Sequence, residues 1–300
     1  MQNPSSLPTK LVTVTSRDYL PGTQVMLHSF LRTNQWFDGS IIVLENDLRR
    51  GDKAALQANF PSVTFPGVST ELDQAIDRLV AEFPKLAGRR TRFLSLDAFQ
   101  PESGDTALFL DSDLLFLEDI ADIADMAAMD GPIIACGDRS QLVGTHRDPV
   151  SMEETDTPSS QGFSSFNAGL MILRQDVRTQ SVWQELLAHL TPEAWKDVTT
   201  DHTDQAVYNR VFGDRVVLAD PRFNYLIGHA GQLRGSADVT LKSAKVLHFN
   251  GHVKPWLFHQ HLPATASDAS FIAALGHWND AYRRFLTAHH FNVSAADSSA

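Results

Sequence analysis

The 300-residue chain holds a single cysteine, Cys136. That excludes an internal disulfide and any metal site built from several thiolates. Cys136 lies in the apolar run Pro132-Ile133-Ile134-Ala135-Cys136, so it reads as a small buried hydrophobe rather than a catalytic thiol. Basic clusters are missing too: the formal charge is −11, and no run of Lys or Arg extends beyond Arg89-Arg90. Neither a nucleic-acid surface nor a polybasic hold on anionic lipid is therefore expected. No stretch approaches the ~18 consecutive apolar residues of a membrane span. The first ten residues are polar and lack the apolar core of a secretory signal. A cytoplasmic protein is the expectation. Also absent are a Walker glycine loop, a dinucleotide fingerprint and a Gly-x-Ser-x-Gly elbow.

What is present is an ordinary globular composition, 43% hydrophobic and 20% charged, able to bury a large core. Short apolar runs at residues 11–15, 40–44, 63–65, 107–110, 133–136, 170–173, 216–218 and 245–249 read as strands. Helical periods fall between several of them. Residues 23–33 place Val25, Leu27, Phe30 and Leu31 among polar neighbours, and residues 72–83 space Leu72, Ile76, Leu79, Val80 and Phe83 by threes and fours. This alternation predicts an α/β domain over residues 1–260, with a mostly parallel sheet flanked by helices. Ligands bind such sheets at the carboxyl ends of their strands. Residues 139–165, rich in Ser, Thr, Gly, Pro and Asp, form a long insert of the kind that serves as a lid or a binding loop. Residues 261–300 read as a helical tail packed on the domain, with Phe271, Ile272, Leu275, Trp278, Tyr282 and Phe285 on one stripe.

Three polar clusters stand at the ends of these runs. In Thr106-Ala107-Leu108-Phe109-Leu110-Asp111-Ser112-Asp113 an apolar strand ends in two carboxylates one residue apart. Like charges so close repel, and a cation is the usual remedy. Hard oxygen ligands suit Mg²⁺ or Mn²⁺, which also bridge phosphates. The second cluster, Asp201-His202-Thr203-Asp204-Gln205, precedes a helix-like stretch, where acids often serve only as caps. In the third, a strand delivers His248 to its end, and Gly251 and Pro255 shape a loop presenting Lys254. An imidazole beside two carboxylates leans toward Mn²⁺, and a lysine can meet a diphosphate as a point charge.

Together these blocks resemble glycosyltransferase family 8, the family of glycogenin, galactinol synthases and lipopolysaccharide hexosyltransferases. The closing segment Lys245-Val246-Leu247-His248-Phe249-Asn250-Gly251-His252-Val253-Lys254-Pro255-Trp256 is similar to that family's signature. The opening strand Val12-Thr13-Val14-Thr15-Ser16, the Asp-x-Asp strand, Phe166-Asn167-Ala168-Gly169 and the Asp-x-x-Asp-Gln cluster follow in the family's order. The resemblance implies a GT-A fold, a Rossmann-like domain with a C-terminal helical extension. It also implies a hexosyltransferase that retains anomeric configuration, using a UDP-sugar, glucose or galactose first, and Mn²⁺ with Mg²⁺ as a substitute.

By position, the resemblance implies Asp111, Asp113 and His248 as metal ligands, with Gly251 and Lys254 on the diphosphate. Thr15, Ser16 and Tyr19 fall where the uridine is met, Ser112 near the ribose, and Arg92, or else Arg90, at a further basic contact. Asp138, Asn167 and Asp201 fall on the donor sugar, and Asp204 with Gln205 beneath the anomeric carbon. Covalent attack by one of these last two and entry of the acceptor from the leaving-group face are both open. So is the acceptor: a carbohydrate, a polyol, a lipid-linked sugar or a protein hydroxyl. Self-association is open as well.

Other readings fit less well. A haloacid dehalogenase-type phosphatase carries its Asp-x-Asp near the N-terminus, with Thr or Val where this chain has Leu115. A calcium loop needs further alternating acids and a glycine. A catalytically silent sugar-nucleotide binder would be expected to have lost one of Asp111, Asp113, Asp204, His248 or Lys254, and all are present.

Overall fold

The computed structural model describes residues 7–101, 106–128, 131–138, 140–143, 151–154, 165–196, 198, 203–213, 215–229, 239–261 and 269–297. Within them the strands, numbered along the chain, are β1 (Lys10–Val14), β2 (Ser40–Leu44), β3 (Val63–Thr64), β4 (Ala107–Leu110), β5 (Leu114–Phe116), β6 (Ile133–Gly137), β7 (Ser140–Val143), β8 (Ser151–Glu154), β9 (Phe166–Leu173), β10 (Val216–Ala219), β11 (Tyr225–Leu226) and β12 (Val246–His248). Seven build the central sheet in the order β10-β6-β9-β4-β1-β2-β3. Its neighbours pair in parallel except at β9, which runs antiparallel to both β4 and β6.

Both faces of this sheet are covered, and the sequence shows why. Successive side chains point to opposite faces. Leu11, Leu108, Ile134 and Ile172 therefore enter one core, while Val12, Phe109, Ala135 and Met171 enter the other. Cross-strand register keeps these rows aligned, pairing Leu11 with Leu108 and Val12 with Phe109. Each large apolar side chain fully buried this way contributes about 1.5–3 kcal/mol.

Helix α1 (Leu20–Thr33) starts with Pro21, whose missing N–H costs nothing in a first turn, and buries Val25, Met26, Leu27 and Phe30. Helix α2 (Thr70–Glu82) is capped by Ser69, whose hydroxyl accepts from the Leu72 N–H at 3.4 Å, with Glu71 and Asp73 favouring the dipole's positive end. It buries Leu72, Ala75, Ile76 and Leu79 and stops before Pro84. From there Pro84–Phe99 continues as 3-10 turns, an element without a periodic signal of its own.

A smaller sheet, β11-β12-β5, carries the closing motif. Strand β5 directly follows the Asp-x-Asp turn and pairs antiparallel with β12, setting His248 opposite Leu114. The insert expected over 139–165 carries a two-stranded ribbon, with β7 and β8 paired antiparallel from Ser140↔Glu154 to Val143↔Ser151. The rest of that insert lies outside the described residues, apart from Ser165. At the end of the chain, helix Ala269–Asp297 packs Phe271, Ala274, Trp278 and Phe285 inward. Ile272 departs from the expected stripe and is 51% exposed. One residue past Phe271 is a rotation of about 100° at 3.6 residues per turn, which carries it off the buried face.

Candidate active site

Strand β4 ends at Leu110, and its ladder continues for one more residue: the Asp111 N–H donates to the Gly169 carbonyl on β9 at 2.8 Å. The Asp113 carbonyl in turn accepts from the Phe249 N–H at 3.0 Å, tying the Asp-x-Asp turn to the end of β12. These two backbone bonds bring Asp111, Asp113 and His248 together, with one ligand atom from each lying within 4.8 Å of the others. His248 Nε2 is 3.2 Å from Asp113 Oδ1 and 3.8 Å from Asp111 Oδ2. Beyond β12, Gly251 takes a φ of +85°, a left-handed turn that other residues resist. The turn brings Lys254 back, so that its buried ammonium donates to Asp113 Oδ2 at 2.5 Å and to the Phe249 carbonyl at 2.6 Å.

The charges are strongly coupled. Burial would raise the Asp113 carboxyl, but Lys254 and His248 hold it well below the usual carboxylate range. Asp111 moves the other way: burial pushes it up to about 7, and the charge of Asp113 adds to the effect. Its side chain nevertheless keeps 39% of its surface open, so it faces the site's mouth. Burial would lower the Lys254 ammonium, yet Asp113 outweighs it and holds the group above its ordinary value. The two closely set carboxylates are thus partly compensated by the Lys254 ammonium.

Alongside lies a connected set of buried amides. Asn167, near the start of β9, donates to Asp138 Oδ2 and to Gln205 Oε1, both at 3.2 Å. Gln205 donates back to Asp138 Oδ2 at 2.5 Å and accepts from the Ala168 N–H at 3.3 Å. Asp204 lies in the first turn of helix α3 (Thr203–Phe212), behind a residue under backbone strain, Thr203 at φ +30°. Its carboxylate accepts from Ser95 at 2.8 Å and from Thr203 at 2.9 Å. Burial raises it above its ordinary value, and the Ser95 bond and the Arg92 charge partly offset that rise.

The nucleoside candidates occupy the turn after β1. Thr15 Oγ1 lies 2.6 Å from Thr23 Oγ1. Ser16 opens a short turn, and its carbonyl accepts from the Tyr19 N–H at 3.0 Å. The Tyr19 ring centroid is 5.5 Å from Lys254 Nζ and 5.6 Å from the Trp256 ring. Ser112 turns its hydroxyl inward, donating to the Val14 carbonyl and accepting from Thr23. Arg92 is exposed, whereas Arg90 is engaged by Asp73 and Asp77. Asp201 lies outside the described residues.

Two site neighbours escape a sequence reading. Asn224, fully buried, sets its acceptor oxygen Oδ1 2.9 Å from His248 Nδ1 and donates through its amide nitrogen to Asn167 Oδ1 at 2.8 Å. Its only sequence signal is one amide within the apolar run Phe223-Asn224-Tyr225-Leu226-Ile227. Ser95, also buried, accepts from the Tyr208 hydroxyl at 2.6 Å while facing Asp204.

A covered, mostly parallel sheet with one reversed strand, and acids gathered at its strand ends, is the architecture of the GT-A glycosyltransferases. More narrowly, the chain belongs to glycosyl transferase family 8, whose sequence model matches residues 10–260, and it is a glycosyltransferase. Among solved structures it is similar to the galactosyltransferase LgtC in complex with donor and acceptor sugar analogs, at 21% identity and a TM-score of 0.64, covering 89% of this chain and 95% of that one. It is also similar to the glycosyltransferase GlyE of Streptococcus pneumoniae TIGR4, at 16% identity and a TM-score of 0.59, covering 93% of this chain and 64% of that one. At such identities these likenesses speak for the fold. General stress protein A of Bacillus subtilis (strain 168) is 25% identical over 169 residues, 53% of this chain and 56% of that protein, so the match spans little more than half of the relative. No helix among the described residues is long and apolar enough to cross a membrane.

Proposed function

We propose that this chain moves a hexose, glucose or galactose, from a UDP-sugar to a hydroxyl acceptor with retention of configuration, using Mn²⁺ held by Asp111, Asp113 and His248. The observation that carries this reading is the convergence of those three side chains within 4.8 Å at the end of β4. Two carboxylates and one imidazole form a donor set suited to Mn²⁺, and Mg²⁺ could substitute. The elevated Asp111 and the ammonium already drawn onto Asp113 both fit a pocket made for a cation. When bound, the ion would supply Lewis-acid neutralisation of the charge growing on the departing diphosphate.

The remaining roles are assigned by position in the family pattern, and the surroundings of each side chain support some of them. Lys254 shares Asp113 and lies beside Tyr19, so its ammonium is placed to stabilise a diphosphate leaving group. Gly251, exposed in the adjoining turn, leaves backbone open beside those phosphates. Thr15, Ser16 and Tyr19 would receive the uridine. A ribose contact from Ser112 would have to come from its backbone, because its hydroxyl is turned inward. Arg92 supports Asp204 by charge.

Asp204 would stabilise the oxocarbenium character that develops at the anomeric carbon. Gln205 is better suited to bracing than to attack, since its amide oxygen already accepts from Asn167 and Ala168. With Gln205, Asp138 and Asn167 would shape the donor-sugar pocket, which Asp201 joins by position. Carbohydrate, polyol, lipid-linked and protein hydroxyls are the acceptor classes to screen.

The test is calorimetric titration with UDP, with and without Mn²⁺, on the wild type, Asp113→Asn and His248→Ala. Mn²⁺-dependent binding lost in both variants is expected, followed by transfer from UDP-glucose or UDP-galactose in an acceptor screen. Absence of UDP binding under any metal, or binding indifferent to both substitutions, would overturn the reading.

A further inference from the structure

The imidazole of His248 offers two nitrogens, and only Nε2 faces the carboxylates. A neutral imidazole can bind a cation through Nε2 only if its proton sits on Nδ1. What sets that proton can be followed outward from one donor whose identity is beyond choice, the backbone N–H of Gly169. It donates to Asn167 at 2.9 Å, so the Asn167 atom there must be the amide oxygen. That same oxygen, 2.8 Å from Asn224, must then receive an N–H from the Asn224 amide nitrogen. Asn224 is thereby oriented with its oxygen toward His248 Nδ1 at 2.9 Å, and an oxygen there can only accept. Every member of the chain is buried: Asn167 and His248 keep less than a tenth of their surface, and Asn224 none. Solvent cannot supply a competing partner, and reversing either amide would set like groups against each other at a cost of about 1–3 kcal/mol per unpaired group.

The geometry points to Asn224 as a positioning residue that holds a proton on His248 Nδ1, so that Nε2, 3.2 Å from Asp113 Oδ1, is the nitrogen reserved for a cation. This assignment rests on the proposed divalent-cation site and adds to it. Asn224 would touch neither cation nor substrate. Its work is to fix the imidazole by its far nitrogen, and the orienting signal comes from the backbone of β9, two residues past Asn167. The same strand therefore sets both the amide cluster beside Gln205 and the protonation pattern of the histidine.

Two near-isosteric substitutions separate this role from simple packing. Asn224→Asp keeps an oxygen facing His248 Nδ1, and Asn224→Leu keeps the volume without an acceptor. The first measurement is the ring ¹⁵N spectrum of histidine-labelled protein without metal, assigned with His248→Ala. In the wild type His248 should show a protonated Nδ1, with or without a second proton shared between Nε2 and Asp113. Asn224→Leu should shift it to the other tautomer or a mixture, while Asn224→Asp should keep the wild-type pattern. The second measurement is Mn²⁺ binding followed by the ion's electron paramagnetic resonance signal. Asn224→Leu should weaken it about 10–100-fold, the range found when a ligand histidine loses its outer partner. Asn224→Asp should retain it.

A wild-type His248 with no proton on Nδ1 would overturn the assignment, as would Asn224→Leu with unchanged ring spectrum and Mn²⁺ affinity. So would equal loss of Mn²⁺ in both variants with the wild-type tautomer intact. Failure of the wild type to bind Mn²⁺ would instead count against the proposed cation site, and the ring spectrum would still decide the tautomer. Circular dichroism on each variant separates unfolding from both results, and if Asn224→Leu does not fold, Asn224→Ser supplies a smaller change to the same bond.

Discussion

The ring of His248 rests against the bare backbone of Gly169. A Cβ on that glycine would lie 2.7 Å from His248 Nδ1 and 2.9 Å from Asn167 Oδ1. The glycine is thus required by the approach of the imidazole, and its backbone torsion angles are unremarkable for any residue. Gly169→Ala should force the ring away from Asp111 and Asp113. We expect Mn²⁺-dependent UDP binding to fall by about 10–100-fold, with stability reduced by only about 1–3 kcal/mol. Calorimetry and urea unfolding on the same preparation check the two effects.

Lys254 and Asp113 form a buried pair, so removing one partner leaves the other exposed to the full cost of burial. Lys254→Met should destabilise the metal-free protein by about 3–5 kcal/mol. Mn²⁺ should then raise the melting temperature more in the variant than in the wild type, because the ion would take the place of the lost ammonium. Transfer should fall by about 10²–10³-fold if Lys254 stabilises the leaving diphosphate. Melting curves with and without Mn²⁺, and turnover at saturating donor, test the two parts separately.

Asn209 fastens helix α3 to β9 from a fully buried position. Its amide donates to the Phe166 and Gln205 carbonyls, both at 2.9 Å, and its oxygen accepts from the Phe166 N–H at 2.8 Å. Asn209→Ala strands backbone groups of Phe166 away from water. A loss of about 2–4 kcal/mol in urea unfolding is expected, with reduced activity because Gln205 and Asn167 lie at the two ends of this clasp.

These examples show which features a sequence can disclose. Asp111 and Asp113 were legible because two carboxylates closing an apolar strand need a reason, and Lys254 because a glycine and a proline frame it in the loop after a strand. The strand rows around Leu11 and Val12 were legible because alternation maps directly onto the two faces of a covered sheet. Asn209 and Asn224 carry no such signal, since a buried amide is identified only by partners distant along the chain. Strand β5 was hidden by its three-residue length after two acids, and Pro84–Phe99 by the lack of a 3.6-residue repeat. The break at Ile272 follows from helical geometry that a visual stripe overlooks.

A pH dependence should arise far from the candidate site. His28 on α1 faces Phe285 at 5.8 Å and His289 at 5.6 Å on the C-terminal helix, and its Nε2 has no hydrogen-bond partner. Burial lowers it to about 4 from an ordinary 6.5, and the charges of His289, Arg32 and Arg284 act in the same direction. The unfolded chain therefore takes up a proton at higher pH than the folded one. The associated stability is fully present above about pH 6.5 and is lost as the pH falls toward 4. Allowing for partial exposure, the loss is on the order of 1–2 kcal/mol. Urea unfolding at pH 7.5 and pH 5 should show this difference in the wild type and a smaller one in His28→Leu.

The reversal of β9 means that the chain leaves the site at Asp138 and returns to it at Ser165, where the Asp138 N–H donates to the Ser165 carbonyl at 3.1 Å. The ends of the stretch that carries the β7–β8 ribbon thus lie side by side. Doubling the length of such a closed excursion costs only about 0.6 kcal/mol in chain entropy. Related enzymes could thus carry stretches of very different length here while the strands, the acids and the amide cluster stay as they are.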